Sequence, residues 1–410
     1  MANFEISFHG ASGTVTGSCF LLRYDGLNIL IDCGLFQGGE DEELLNYSAF
    51  GFDPREVDYL VLTHGHLDHV GRLPLLVKEG FKGKIICTDA TFDIARVVLV
   101  DAARIKSEDY KRMKKIAARK GGPLPPPPLY SVFDVMESFK YFVPIKGYRK
   151  GLKLKKGVEL TFYNAGHILG SAFVEFKLGD SNIVFSGDLG NSGKLITPDP
   201  SLSPYCNFLV VESTYGDREH RSFEESIVEF KNAINETIKS GGNVIIPAFA
   251  IERAQEVIYL LKILIEKGEV PKVKVFLDSP MASEVINIMR KHRSYLRKEL
   301  LDMMDNGYDP FDFPGLEITE DIEDSKSINS VSGTIIIAGS GMCNGGRILH
   351  HLKHNIWKEE SSIVFVGFQA KGTLGREIVD GSEEVEILGS TYKVKARVYT
   401  INGFSSHIGQ

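Results

Sequence analysis

The sequence predicts an α/β protein in two parts, a strand-rich N-terminal half and a C-terminal half of Rossmann-like build. Short β-type runs at 4–9, 18–24 and 28–32, separated by glycine-rich turns, fill the start of the chain. From near Asn207 strands alternate with helices, the pattern of a parallel sheet covered on both faces. A further run at 57–63 leads straight into a cluster of histidines, so the cluster sits at the end of a buried strand, where α/β proteins place their chemistry.

The elements follow in order. Residues 91–120 read as a helix that turns basic, with eight Lys/Arg against two acids between Arg104 and Lys120. A solvated helix face and a surface that touches a polyanion both fit that run. Pro123-Leu124-Pro125-Pro126-Pro127-Pro128 then forces an extended polyproline stretch, read as a rigid connector. Strands resume at 159–163, 172–176 and 182–186. Beyond them come strands at 208–212, 244–247, 273–277, 334–338 and 362–367, with helices reaching Gly268 and His292 and another near 347–355. No repeat of fixed period is present.

Composition bounds the function. At 410 residues the chain can bury two cores, and a net charge of -7 leaves any polyanion site to a local patch or a metal centre. The opening MANFEISFHG has neither a basic nor an apolar leader segment, and no apolar run approaches a membrane span, so neither a signal peptide nor a membrane is expected. The five cysteines are scattered and form no CxxC pair, which predicts reduced thiols and a cytoplasmic protein.

The strongest chemical signal is His64-Gly65-His66-Leu67-Asp68-His69. Three imidazoles and a carboxylate within six residues are costly as core filling, because buried polar groups need partners. In an extended loop, residues 64 and 66 point to one side while 68 and 69 turn to another, so each side can hold an ion. Imidazole and carboxylate donors suit zinc best, with manganese or iron close behind. His167 in Ala165-Gly166-His167-Ile168 and Asp188 in Ser186-Gly187-Asp188-Leu189 stand at strand ends and supply further ligands. Asp32 also ends a strand and suits a carboxylate that holds a ligand histidine in one tautomer.

Together these motifs resemble the metallo-β-lactamase superfamily. Val211-Glu212-Ser213-Thr214-Tyr215, Pro247-Ala248-Phe249-Ala250, Asp278-Ser279-Pro280-Met281, Gly339-Ser340-Gly341-Met342 and Gly403-Phe404-Ser405-Ser406-His407 are similar to its β-CASP branch, which includes ribonuclease J and the endonuclease of the polyadenylation machinery. The resemblance implies an αββα sandwich at 1–207, an inserted Rossmann-like β-CASP domain at 208–400, and the start of a return segment at 401–410. It implies two zinc ions, with His64, His66 and His167 on the first, Asp68 and His69 on the second, and Asp188 bridging. It also implies a further zinc-ligating histidine beyond His407. The sequence given stops at Gln410, so the second zinc is expected to lack one imidazole here.

The activity so implied is hydrolysis of RNA phosphodiesters by a hydroxide between the metals, with Asp32, Asp68, Asp188, Glu212 and His407 in the chemistry and His407 as proton donor. Single-stranded RNA is the expected partner, held by Ser340, Gly341 and Arg347, and by resemblance the chain forms a homodimer. On Arg347, His350, His351 and His354, which share a helical face, a solvated basic surface and a phosphate contact both remain open. The competing readings are a thioester or lactone hydrolase of the same fold and an RNA-binding β-CASP subunit without catalysis. The roughly two hundred residues after Asp188 count against the first, and the intact donor set against the second.

Overall fold

The computed structural model describes residues 3–217 and 221–409, which fall into two compact units. The first takes in residues up to Leu189 and then Pro200–Thr214; the second takes in Gly190–Asp199 and everything from Tyr215 on.

The first unit contains two sheets. One runs Phe4–Gly10, Cys19–Tyr24, Leu27–Ile31, Tyr59–Val61, Lys84–Thr88, Phe142–Ile145, antiparallel at the start and parallel from Leu27–Ile31 onward. The other pairs Phe208–Val210, Ser181–Phe185, Ala172–Leu178, Glu159–Asn164 and Leu152–Lys153. Alternation along the strands puts Leu22, Ile29 and Val61 of the first sheet against Phe162, Phe176 and Phe185 of the second in one buried cluster. The opposite side chains, Leu21, Leu30, Leu60 and Ile85, pack under Leu73 and Leu76 of the helix Leu73–Lys78 and Leu99 of the helix Asp89–Lys120.

The second unit holds a six-stranded, wholly parallel sheet in the order Leu316–Ile318, Val275–Asp278, Ile335–Ala338, Val244–Pro247, Ser362–Phe365, Arg397–Thr400. The central strands are buried along their length, and Ile348, Leu352 and Ile356 close one face. This is the parallel, helix-covered sheet that the alternating pattern predicts.

One strand differs from the expectation. Residues 208–212 read as the opening strand of the second half, yet Phe208–Val210 pairs parallel with Ser181–Phe185 and belongs to the first unit. A three-residue strand carries no periodicity of its own, so its pairing is set by the sheet edge it meets. The segment 401–409 lies in the second unit. There Phe404 packs on Phe223 and Phe230, with ring centroids 5.5 and 5.8 Å apart, and an Arg253 amine donates to Ser406 Oγ at 2.9 Å.

The loops at the strand ends are laced by backbone hydrogen bonds. Ser18 N–H donates to Asp68 O at 2.8 Å, Cys33 N–H to His69 O at 2.8 Å and Leu35 N–H to Leu67 O at 2.9 Å. This requires glycine at position 34, where a Cβ would stand 1.6 Å from the Asp68 carbonyl oxygen. Gly34→Ala should therefore cost about 1–3 kcal/mol of stability and shift the Asp68 loop. An unchanged denaturant midpoint together with unchanged metal affinity would contradict the close approach.

Candidate metal centre

The donors converge because four strands of the first unit end on one side of the sandwich. Asp32 follows Leu27–Ile31, His64 follows Tyr59–Val61, His167 lies in the loop after Glu159–Asn164, and Asp188 follows Ser181–Phe185. After His66 the chain turns into the short helix Leu67–Val70, with His66 itself at the N-cap. That turn puts Asp68 and His69 on the other side of Asp188 from His66, while the His69 ring stays 3.9 Å from that of His64.

Two groups of donors result within the first unit. His64, His66, His167 and Asp188 form one; Asp68, His69 and Asp188 form the other, and within each group the donor atoms lie within 4.8 Å of one another. His66 Nδ1 is 3.1 Å from both His64 Nε2 and His167 Nε2. Asp188 Oδ2 is 3.5 Å from the same two Nε2 atoms, while its Oδ1 lies 3.2 Å from His69 Nε2. Asp68 Oδ2 stands 3.8 Å from His69 Nε2. A tetrahedral zinc with bonds of about 2.0–2.1 Å sets its ligands about 3.3–3.4 Å apart. The first group matches that spacing, and Asp188 turns one oxygen toward each group.

Hydrogen bonding fixes which nitrogens face inward. Asp32 is fully buried and accepts from Ser18 Oγ at 3.1 Å, Thr63 N–H at 2.8 Å, Thr63 Oγ1 at 2.9 Å and His69 Nδ1 at 2.7 Å. With the Nδ1 proton of His69 committed to Asp32, its Nε2 is the ring nitrogen turned toward Asp188 and Asp68, and the one a metal ion would take in exchange for its proton. His64 Nδ1 likewise lies 3.1 Å from Thr63 Oγ1, leaving Nε2 for the cluster. Thr63 and Ser18 are not singled out by sequence reading; the available signal was a hydroxyl residue directly before the first histidine.

The electrostatics suit a cation. Burial, with the neighbouring imidazole of His69, pushes His64 well below the ordinary histidine value and keeps it neutral. For His69 burial acts in the same direction, but Asp188, Asp32 and Asp68 outweigh it and hold its pKa well above the ordinary value. Burial would raise Asp188, yet His69 and His64 bring it well below the usual carboxylate range. Beside Asp32, His69 and Asp188 opens a cavity of 330 Å³ that also reaches Glu212. The Glu212 carboxylate accepts from Leu189 N–H and, at 2.6 Å, from Thr214 Oγ1. His407 lies in the second unit, its ring 6.1 Å from that of Tyr215.

The expected phosphate-binding residues are placed differently. Arg347 directs its guanidinium at Asp278, 2.5 Å away, and at the carbonyls of Thr319 and Glu320. His351 Nε2 donates to the same buried carboxylate at 2.6 Å, so Arg347 and His351 form a structural network, with His350 exposed and His354 half-buried beside it. Ser340 bonds within its own loop, N–H and Oγ both to Gly345 O, and Gly341 is buried with its carbonyl accepting from Gln369. Helical spacing cannot tell a ligand-facing Arg from one that neutralises a buried aspartate.

A model of the metallo-β-lactamase superfamily matches residues 12–247, and one of the β-CASP domain matches 254–378. The chain belongs to the metallo-β-lactamase superfamily. Within it, the β-CASP match places this chain in the branch that its later motifs resemble. The superfamily relatives include a protein named ribonuclease TTHA0252 from Thermus thermophilus, 42% identical over 402 residues, 98% of this chain and 88% of that protein. Proteins named transcription termination factor FttA are 33% identical, from Methanosarcina mazei over 97% of this chain and from Methanocaldococcus jannaschii over 98%. The chain spans 62% and 63% of the length of those two archaeal proteins. A crystal structure of an Enterococcus faecalis protein of unknown function shares the fold, with a TM-score of 0.53 at 12% identity over 99% of this chain and 89% of that one.

Two predictions follow from the site geometry. Asp32→Asn keeps a residue type that tolerates the left-handed backbone at this position (φ 57°) but weakens the grip on His69. Metal affinity should fall about 10–100-fold in chelator competition; an unchanged affinity would show that His69 needs no such support. At Asp278, burial alone would raise the carboxyl, but hydrogen bonds from His351, Ser325, Thr319 and Arg347 hold it well below the usual range. Its stabilisation is full above the unfolded value of about 3.9 and is lost as pH falls through the lower folded value. Asp278→Asn should cost about 3 kcal/mol at neutral pH and flatten the loss of stability below about pH 4; equal urea midpoints for the two proteins at neutral pH would refute this.

Proposed function

We propose that this chain is a zinc-dependent ribonuclease that hydrolyses phosphodiester bonds of single-stranded RNA. The observation that carries the reading is the pair of donor groups meeting at Asp188, each within ion-binding distance of its own members. The 42% identity to a protein named a ribonuclease supports RNA as substrate.

In this reading His64, His66, His167 and Asp188 hold one zinc, and Asp68, His69 and Asp188 hold the other. When bound, the two ions lower the pKa of a water toward neutrality and neutralise charge gathering on the phosphoryl oxygens. Asp32 keeps His69 in the tautomer that offers Nε2. The fit of donors needs no rearrangement, since three imidazole nitrogens and a carboxylate oxygen already stand at zinc-ligand spacing. The cavity beside Asp188 admits the scissile group, and Glu212 at its edge holds the Leu189 backbone that follows Asp188. The proton for the departing oxygen is assigned to His407 on the family resemblance alone.

A homodimer and a cytoplasmic location belong to the same proposal. All five cysteines are free, and no described helix is long and apolar enough to cross a membrane.

End-labelled single-stranded RNA, incubated with and without a chelator, tests the reading. The expected result is cleavage that the chelator stops and zinc restores. Asp68→Ala should abolish it, a loss of at least about 10³-fold, with the circular dichroism spectrum retained. Full turnover by Asp68→Ala would sink the two-metal centre, and chelator-sensitive hydrolysis of thioesters with RNA left intact would replace the substrate.

A further inference from the structure

The helix Asp89–Lys120 has a length that the fold does not use. Its first half is core: Ile94, Ala95, Leu99 and Ala103 are buried, and the loop of the metal donors lies against it. Gly65 makes that approach so close that a Cβ there would stand 2.5 Å from Ile94 Cγ2. Past Ala103 the burial ends. None of residues 104–122 is buried, although the helix continues in regular form to Lys120 and closes on Gly121 in the left-handed region (φ 70°). About 25 Å of helix therefore continues without a buried residue, beginning about 15 Å along the axis from the contact with the donor loop.

This arm is strongly cationic on a chain whose net charge is -7. Arg104 and Arg112 pair with Asp101 and Asp109 on the arm's own helix, and Lys106 reaches Glu43. Lys111, Lys114, Lys115, Arg119 and Lys120 have no ion pair among the described residues. Of these, Lys111, Lys115 and Arg119 follow one another at helical spacings of four, so they share a face. A helix with unmatched cations in line is a surface for a linear anion, whose backbone charges recur roughly every 3.4 Å along a stacked strand.

We propose that the 104–120 arm is a docking track for single-stranded RNA beyond the segment held at the metal centre. The proposal rests on the ribonuclease reading for its choice of polyanion. A second copy of the chain is a poorer occupant, because two-fold pairing would set the cationic faces against each other. A lipid surface is poorer too. The exposed apolar side chains along the arm are Ile105, Met113 and Ile116, with no Trp or Phe to anchor them in an interface.

The test uses the full chain with Lys111→Gln, Lys115→Gln and Arg119→Gln combined. All three sites are exposed and glutamine is a good helix former, so the fold is retained. Binding to an RNA of about 30 nucleotides, read by fluorescence anisotropy across a salt series, should lose about 2 from the slope of log K against log salt, at about 0.7 per lost phosphate contact. Cleavage of an RNA of about four nucleotides, too short to span from the centre to the track, should be unchanged. A slope equal to that of the unaltered chain overturns the proposal. So does an unchanged slope accompanied by loss of binding to phosphatidylserine vesicles or by a drop in molar mass in light scattering, which would give the arm to a membrane or a second copy. If the unaltered chain cleaves no RNA, the ribonuclease reading fails, while the anisotropy series still decides the track.

Discussion

Asp32 joins three segments far apart in sequence. Its carboxylate, wholly removed from solvent, accepts hydrogen bonds from Ser18, Thr63 and His69. A carboxylate in such a place is tolerated only when its lone pairs are met, because an unpaired buried charge costs several kcal/mol. The same bonds that satisfy it therefore fix the strand ends relative to one another and set the His69 ring. The left-handed backbone of Asp32 (φ 57°) belongs to this arrangement, since it turns the chain immediately after Leu27–Ile31 and directs the side chain across to Thr63.

From that anchor the rest of the centre follows as an arrangement of charge. Asp32, Asp68 and Asp188 lie around His69, while His64 is kept neutral by burial. The pocket thus combines carboxylate charge with the neutral imidazole of His64, and a divalent cation would answer both and take the place of the proton that the carboxylates hold on His69. The two hydrophobic clusters on either side of the first sheet do the positioning, since they hold the strands whose ends carry the donors. The hydrogen-bonded loops then supply the last few tenths of an ångström.

Much of this was legible in the sequence. The order and type of most long elements came from periodicity: the strand Val244–Pro247, the helix Pro280–Lys291 and the helix Asp89–Lys120 all match their patterns closely. The division of the histidine cluster into two sides followed from the spacing of 64, 66, 68 and 69. What spacing could not show was partnership across the chain. Arg347 and His351 sit on a helical face that suits an anion, but only the fold brings the carboxylate of Asp278 beneath them. The pairing of one short strand and the existence of another were hidden for a related reason: 208–212 reads as a strand of the second half, and 316–318 does not read as a strand. Phe208–Val210 and Leu316–Ile318 are each three residues long, too few for a period, and their identity is fixed by the neighbouring edge.

Every donor of the two groups comes from residues 64–188, and all belong to the first unit. The Asp32 and Thr63 bonds that orient them lie in that unit as well. Chains emerge from the ribosome N-terminus first, at about 5–20 residues per second. The donors and their supports are thus made about ten seconds or more before the last strands of the parallel sheet of the second unit. The order of synthesis therefore completes the donor set before the β-CASP portion follows it.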